Sequence, residues 1–225
     1  SRGSVRGSPS TRIGTAGAFW PDEVCRRLSL IEPRERTDLA RRLGREADRY
    51  LERLRQFPME LHAQHLTPIQ AGIRIRRYEI LMRAAGLPEA VAAPGELIAG
   101  AEALGLGAVL DRRVVGELLV WLAQRSEVWA NEPAQFSINL TAGALSDANF
   151  LQFVRLCLEK AQLPRGLVAF EARHEFCART PVYFAQLAAQ LEQAGAGVVI
   201  DDFVLSETGI DLLLQPGVRL VKLNA

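Results

Sequence analysis

The chain has 225 residues, of which 48% are hydrophobic and 24% are charged, and its formal net charge is +1. This composition is typical of one large globular domain, or of a smaller domain with an extension, and it excludes a general electrostatic attraction to DNA or anionic membranes. No apolar run approaches the roughly 18 residues of a membrane span, and widely spaced cysteines without metal-binding intervals favour a reducing, cytoplasmic location.

The N-terminal part of the chain divides into two segments. Residues 1–17 are rich in Ser, Gly and Arg, which predicts a flexible segment with little to bury. Residues 18–57 are predicted to be a helical extension or linker, because apolar side chains recur every three or four residues from Leu39 to Phe57. This apolar stripe needs a partner. Docking on the following domain is the commoner case, and pairing with a second copy as a homodimer, or with another protein partner, is the alternative.

From residue 58 onward, strand and helix patterns alternate. The segments MELHAQHL and IRIRRYEILMR are predicted strands, and two helical segments follow them. Four short apolar strands come next, AQFSINLT, GLVAFEAR, GVVIDDF and VRLVKLN, with a helical pattern between each pair. This order predicts parallel strands joined by crossover helices, and therefore an α/β sheet or barrel.

Polar residues stand near the carboxyl ends of these predicted strands, where an apolar strand does not need them. In parallel α/β folds the strand ends open onto one mouth, so we expect these side chains to converge. Carboxylate and amide oxygens suit Mg²⁺ or Mn²⁺, whereas Arg and Lys suit a phosphate. Separate helix caps and surface ion pairs are the alternative interpretation. The residues are Glu79, Arg83, Asn139, Glu171, Asp201, Asp202 and Lys222.

At these residues the chain resembles the EAL domain family, which comprises cyclic di-GMP phosphodiesterases and their degenerate relatives. AQHL is similar to the family's YQPI, YEILMR keeps the E-x-L-x-R form of its signature, and FEAR stands where LEITE is usual. INLT is similar to NLS, DDF is intact, and VKL is similar to LKI. The resemblance runs from about Met59 to the last residue. It implies a TIM-barrel-like α/β domain over residues 58–225, with one antiparallel strand.

The resemblance also implies roles for the matched residues. In an active enzyme, the resemblance implies that a Mg²⁺ or Mn²⁺ ion is bound by Glu79, Asn139, Glu171, Asp201 and Asp202. Contact with cyclic di-GMP is implied for Gln64, Glu79, Leu81, Arg83, Asn139, Glu171, Asp201 and Lys222. Asp202, near the attacking water, and Lys222 would be the catalytic residues. A receptor without activity would need no metal.

Three features depart from the family pattern. Val204 and Ser206 replace glycines of the loop that follows DDF, so any left-handed backbone there is strained or abandoned. The glutamate that braces this loop in the family is His174 here, and the threonine before it is Arg173. The chain also stops after the sixth predicted barrel strand, which predicts an open barrel in a truncated sequence, or a gap filled by another chain or by the N-terminal helix.

These departures favour a degenerate EAL domain that does not catalyse hydrolysis. It would act as a cyclic di-GMP receptor or as a protein-interaction module in bacterial signalling. The alternative is an active, metal-dependent phosphodiesterase that produces the linear dinucleotide, which the retained polar residues favour.

Overall fold

The computed structural model describes residues 10–13, 38–67, 72, 74–86 and 94–223. The strands are β1 (Ser10–Ile13), β2 (Met59–Leu66), β3 (Arg76–Ala84), β4 (Ala134–Asn139), β5 (Val168–Arg173), β6 (Gly197–Phe203) and β7 (Val218–Leu223). The α-helices are α1 (Asp38–Gln56), α2 (Gly95–Ala103), α3 (Gly107–Gln124), α4 (Ala142–Leu145), α5 (Ala148–Ala161), α6 (His174–Arg179), α7 (Pro181–Gln193) and α8 (Glu207–Leu213), and a short 3₁₀-helix (Ser126–Val128) follows α3.

The strands form one seven-stranded sheet in the order β1 to β7. β2 runs antiparallel to β3, and β3 to β7 are parallel to one another with helices in the crossover connections. The predicted α/β fold with an antiparallel strand beside parallel ones is therefore confirmed. Among the described strands, β1 and β7 form the two edges of the sheet.

β1 corrects the prediction of a flexible segment over residues 1–17. Ser10 to Ile13 pair antiparallel with β2, in register from Gln64 to Leu61. The edge of β2 offers backbone N–H and C=O groups that need partners, and Thr11 and Ile13 are residue types that favour strands. The other residues of this segment lie outside the described part of the chain.

The C-terminal half of α1 docks on the domain. Tyr50 and Leu54 are buried, and the Tyr50 hydroxyl donates a hydrogen bond to the carbonyl of Leu97 in α2 (2.9 Å). The guanidinium of Arg113 in α3 also donates to the carbonyls of Leu54 and Phe57 at the end of α1. Docking, the commoner of the two predicted cases, therefore holds for this half, whereas residues 18–37 of the predicted extension lie outside the described ranges.

The two faces of the parallel strands differ in chemistry. Ile138, Phe170 and Ile200 belong to the main hydrophobic core and are at most 1% exposed. Side chains alternate along a strand, so Glu171 lies on the face opposite to Phe170, and the same holds for Asn139 in β4 and Asp201 in β6. The opposite face is also buried, with Ala169 and Val199 fully so, and it carries these polar residues near the carboxyl ends of the strands.

Candidate functional site

Four polar side chains from four different strands form one hydrogen-bonded network. The amide nitrogen of Asn139 donates to Oε1 of Glu79 (2.7 Å). The ammonium of Lys222 donates to Oε2 of Glu79 (2.5 Å) and to Oε2 of Glu171 (2.6 Å). Asn139 and Glu171 are also register partners on β4 and β5. These residues, here called the lysine network, are brought together as the sequence predicted.

Charge in the lysine network is partly compensated internally, because one ammonium bonds to two carboxylates. The Glu171 side chain is 0% exposed, and burial together with the nearby Glu79 raises its pKa, whereas Lys222 opposes that rise. Burial alone lowers the pKa of Lys222, but the Glu171 and Glu79 carboxylates outweigh burial and raise it. The ammonium therefore stays charged at neutral pH. Oε1 of Glu171 is buried without a hydrogen bond of ordinary geometry among the described residues, and the nearby Ser137 hydroxyl lowers the pKa of this carboxyl.

A cleft of about 500 Å³ opens beside the lysine network. Its lining includes five of the predicted site residues and side chains from α2, α3 and α6. The five are Leu81, Arg83, Asn139, Glu171 and Asp201. Gln64 lies opposite Glu79 in the β2–β3 register, but its side chain is not among the described residues that line the cleft.

Arg83 has donors available at the cleft. Its Nη1 donates to the carbonyl of Met82 (2.9 Å), and its Nε is buried without a partner in the described part of the chain. A buried donor without a partner is costly, so this guanidinium is suited to an anionic acceptor supplied by a ligand.

The two adjacent aspartates of β6 point to different places. Asp201 is the register partner of Arg173 and lines the cleft. Asp202 is exposed and has a left-handed backbone, with φ of 51°. The β6–β7 register shifts between Ile200 and Phe203, which interrupts the alternation of side chains there. Within the described ranges, neither aspartate has a hydrogen bond or ion pair to the lysine network.

The predicted metal ligands are only partly assembled, because Glu79, Asn139 and Glu171 belong to the lysine network, whereas Asp201 and Asp202 form no bond to it in the described part of the chain. Among the described residues, no group of three or more His, Cys, Asp or Glu side chains could hold a metal ion. Lys222 lies between Glu79 and Glu171, and Asp202 faces solvent. This arrangement does not fit the metal site that the resemblance implies for Glu79, Asn139, Glu171, Asp201 and Asp202. The buried Oε1 of Glu171 favours an additional cation.

The loop after β6 has abandoned the left-handed backbone that its glycine positions would allow. Ser206 has φ of −152°, and its hydroxyl accepts a hydrogen bond from the Gly209 N–H (3.0 Å), which caps α8. The left-handed residue of this region is Asp202 instead. His174, at the position of the family's brace, is buried and packs edge-on against Phe203, with ring centroids 5.4 Å apart. The brace position therefore makes an aromatic contact.

Sequence reasoning missed several polar residues that line the cleft, among them Arg173, Asp111 and Thr141. Arg173 was noted only as a departure from the family pattern, and Asp111 and Thr141 were not singled out. The sequence does contain a signal for Asp111, because this acidic residue lies on the apolar face of α3, next to Leu110 and one turn before Val115.

Comparison with known proteins identifies the family. The EAL domain family matches residues 51–225, so this chain belongs to the EAL domain family. The chain is 29% identical over 154 residues to the biofilm architecture maintenance protein MbaA of Vibrio cholerae, covering 68% of this chain and 19% of that protein. It is 30% identical over 206 residues to the cyclic di-GMP phosphodiesterase PdeF of Escherichia coli, covering 91% and 26%.

Solved structures agree on the fold. The crystal structure of the FimX EAL domain from Pseudomonas aeruginosa bound to c-di-GMP matches with a TM-score of 0.65 and 20% identity, over 79% of this chain and 70% of that one. The fold is therefore the TIM-barrel-like fold of this family. The chain spans about a fifth to a quarter of the length of the two curated relatives. No described helix is long and apolar enough to cross a membrane.

Proposed function

We propose that this chain is a degenerate EAL domain that binds cyclic di-GMP without hydrolysing it, and that it acts as a receptor or regulatory module. The observation that carries the proposal is the position of Lys222, whose ammonium bonds to both Glu79 and Glu171. One internal cation thus bonds to both carboxylates, and it reduces the negative charge that an anionic nucleotide would meet in the absence of a divalent metal.

Hydrolysis would require a different arrangement. A metal between the carboxylates would have to displace Lys222, and Asp202 would have to turn into the cleft from an exposed, left-handed position. Errors of 1 Å in the position of a reacting group cost about 10²-fold in rate. The glycines of the β6 loop are also replaced, so the loop in its present form does not hold Asp202 toward the cleft.

An active phosphodiesterase is the second candidate. The buried Oε1 of Glu171 favours it, because an oxygen without a hydrogen bond of ordinary geometry is a ready acceptor for Mg²⁺ or Mn²⁺. The similarity to PdeF, which is named as a cyclic di-GMP phosphodiesterase, favours it as well. In this candidate, Glu79, Asn139, Glu171 and Asp201 rearrange as ligands, and Asp202 and Lys222 take the catalytic roles that the resemblance implies.

Two measurements on the same preparation separate these candidates. We expect calorimetric titration in EDTA to detect binding of cyclic di-GMP, and we expect no linear dinucleotide after incubation with Mn²⁺ or Mg²⁺. Product formation with either metal would establish the second candidate instead. If neither binding nor turnover occurs, both nucleotide functions are wrong and a protein partner becomes the ligand to seek.

The Arg83→Ala substitution tests the nucleotide contact. We expect it to weaken binding by more than about 1.5 kcal/mol, because a charge-assisted hydrogen bond to a phosphate is lost. Calorimetric titration of cyclic di-GMP measures the change. Arg125→Ala, at an exposed position outside the cleft, is the control. Unchanged affinity in Arg83→Ala would refute the contact.

The proposed regulatory role includes a protein partner or a homodimer formed through the barrel or the N-terminal helix. The described half of α1 is docked through Tyr50 and Leu54, which favours the barrel for this contact. Sedimentation with and without nucleotide measures the association.

We propose a cytoplasmic location, where the unpaired thiols of Cys157 and Cys177 would stay reduced.

A further inference from the structure

We infer that Arg173 completes a two-arginine clamp with Arg83, and that the clamp holds the phosphodiester of the bound nucleotide in place of a divalent metal. The inference rests on the proposed function, because it concerns how the same cleft binds its ligand.

Arg173 is directed to the cleft by its strand. It is the last residue of β5 and stands two positions after Glu171, so alternation puts both side chains on the same face. Arg173 lines the cleft and is exposed. No hydrogen bond or ion pair engages its guanidinium within the part of the chain that the structure describes. Its donors are therefore available to a ligand.

Arg83 and Arg173 flank one strand end. They belong to β3 and β5, and Asn139 ends β4 between them. Neighbouring strands are about 4.8 Å apart, so the two backbones are separated by roughly 10 Å, which two arginine side chains can bridge from opposite sides. A guanidinium presents a planar fork that matches phosphate oxygens, and two forks can bind the non-bridging oxygens of a cyclic dinucleotide.

The acidic lining of the cleft leaves this positive charge available. Glu171 bonds to Lys222, Glu175 pairs with Arg179 (3.4 Å), and Asp111 accepts two hydrogen bonds from Thr141. Glu102 also lines the cleft, and within the described chain it forms no ion pair with either arginine. Asp201 is the acidic residue best placed to compete, because it is the register partner of Arg173, yet the structure contains no ion pair between them. Within the described chain, no carboxylate serves as the acceptor for the two guanidinium groups. A phosphodiester could supply that acceptor.

Calorimetric titration of cyclic di-GMP in EDTA tests the clamp with three variants. We expect Arg173→Gln to weaken binding about tenfold or more, and Arg173→Lys to fall between Gln and the wild type because it keeps the charge but loses the fork. Arg155→Gln is the matched control, since Arg155 is an exposed arginine on α5 that pairs with Glu159, away from the cleft. Its affinity should stay within twofold of the wild type.

Salt dependence separates a charge contact from a general effect on structure. The difference between the wild type and Arg173→Gln should narrow as KCl is raised, because salt screens the guanidinium and the phosphate. Thermal unfolding of each variant checks that the fold is retained. If Arg173→Gln fails to fold, the comparison of Arg173→Lys with the wild type decides, and we expect at least threefold weaker binding.

The outcomes distinguish this inference from the proposed function. If the wild type binds in EDTA and Arg173→Gln binds equally well, the clamp is wrong and the receptor proposal stands. Tighter binding by Arg173→Gln would mean that Arg173 pairs with Asp201 or obstructs the cleft, which also overturns the clamp. If the wild type does not bind, the proposed function fails and the clamp fails with it.

Discussion

The carboxylate of Glu171, in the lysine network, and that of Asp111, on the inner face of α3, are both almost completely withdrawn from solvent. Burial raises the pKa of both. Glu171 receives an ammonium, whereas Asp111 receives two neutral donors from Thr141, the backbone N–H (2.7 Å) and the hydroxyl (2.8 Å). Both carboxylates border one cleft, and the fold uses a full charge in the lysine network but hydrogen bonds where α3 docks on the end of β4.

The hydrogen bonds of Asp111 belong to a structural contact. This contact is here called the α3–β4 contact, and it is formed by Asp111, Gly107, Thr141 and Ala144. The hydroxyl of Thr141 also accepts a hydrogen bond from the Ala144 N–H (3.3 Å), which caps α4. Gly107 packs directly against Thr141. Because Thr141 follows Asn139 by two residues, this contact also fixes the end of β4 beside the cleft.

Removing the cation should produce the largest effect. Lys222→Met leaves Glu79 and Glu171 close together without compensation, and we expect the free energy of unfolding at pH 7 to fall by about 3–5 kcal/mol. Urea unfolding measures it. The loss should shrink at low pH, where the carboxylates bind protons. The double substitution Lys222→Met with Glu171→Gln is the control, and it should recover part of the stability. An unchanged Lys222→Met protein would mean that the network contributes little.

The features that sequence reasoning predicted are those determined by periodicity. The strands β4 to β7 follow from apolar runs of strand length, and β2 and β3 were predicted from the segments MELHAQHL and IRIRRYEILMR. Because the carboxyl ends of parallel strands share one edge, the meeting of Glu79, Asn139 and Glu171 could be expected. Lys222 was expected at the same site and lies there.

Other features depend on geometry that periodicity does not contain. Asp202 faces solvent because the β6–β7 register shifts, and no residue type at this point predicts such a shift. Helix α6 begins at His174 without a side-chain cap, so its start has no sequence marker. Whether a lysine or a metal lies between Glu79 and Glu171 is decided by ångström-scale placement of the Lys222 side chain.

Asp111→Asn tests the other buried carboxylate through pH. Burial raises the pKa of Asp111 to about 7, against the Thr141 hydrogen bonds and with help from Glu102. The folded protein therefore keeps a proton that the unfolded chain releases from about pH 4, and stability should fall by about 1.4 kcal/mol per pH unit as pH rises toward 7. Asn keeps an oxygen acceptor for Thr141 and cannot ionise, so this fall should be absent.

Urea unfolding of the wild type and Asp111→Asn at half-unit intervals from pH 4 to 8 measures the difference. Subtracting the two curves removes the titration of the other groups, including Glu171. Asp211→Asn, in α8 and outside the cleft, is the control and should run parallel to the wild type. Parallel curves for Asp111→Asn would show that Asp111 ionises at an ordinary pH, and the contrast with Glu171 would then fail.

Gly107→Ala tests how tightly the α3–β4 contact is packed. A Cβ at residue 107 would lie 2.3 Å from the Thr141 hydroxyl oxygen, which also accepts the Ala144 N–H and donates to Asp111, so neither partner can move freely. We expect a loss of about 1–3 kcal/mol by urea unfolding. Gly143→Ala is the matched control, because its Cβ would meet nothing closer than 3.6 Å and α4 should be unchanged or slightly stabilised. Equal stability of the two variants would mean that α3 shifts away from Thr141 at little cost, and the hydrogen bonds of Asp111 would then have to tolerate that shift.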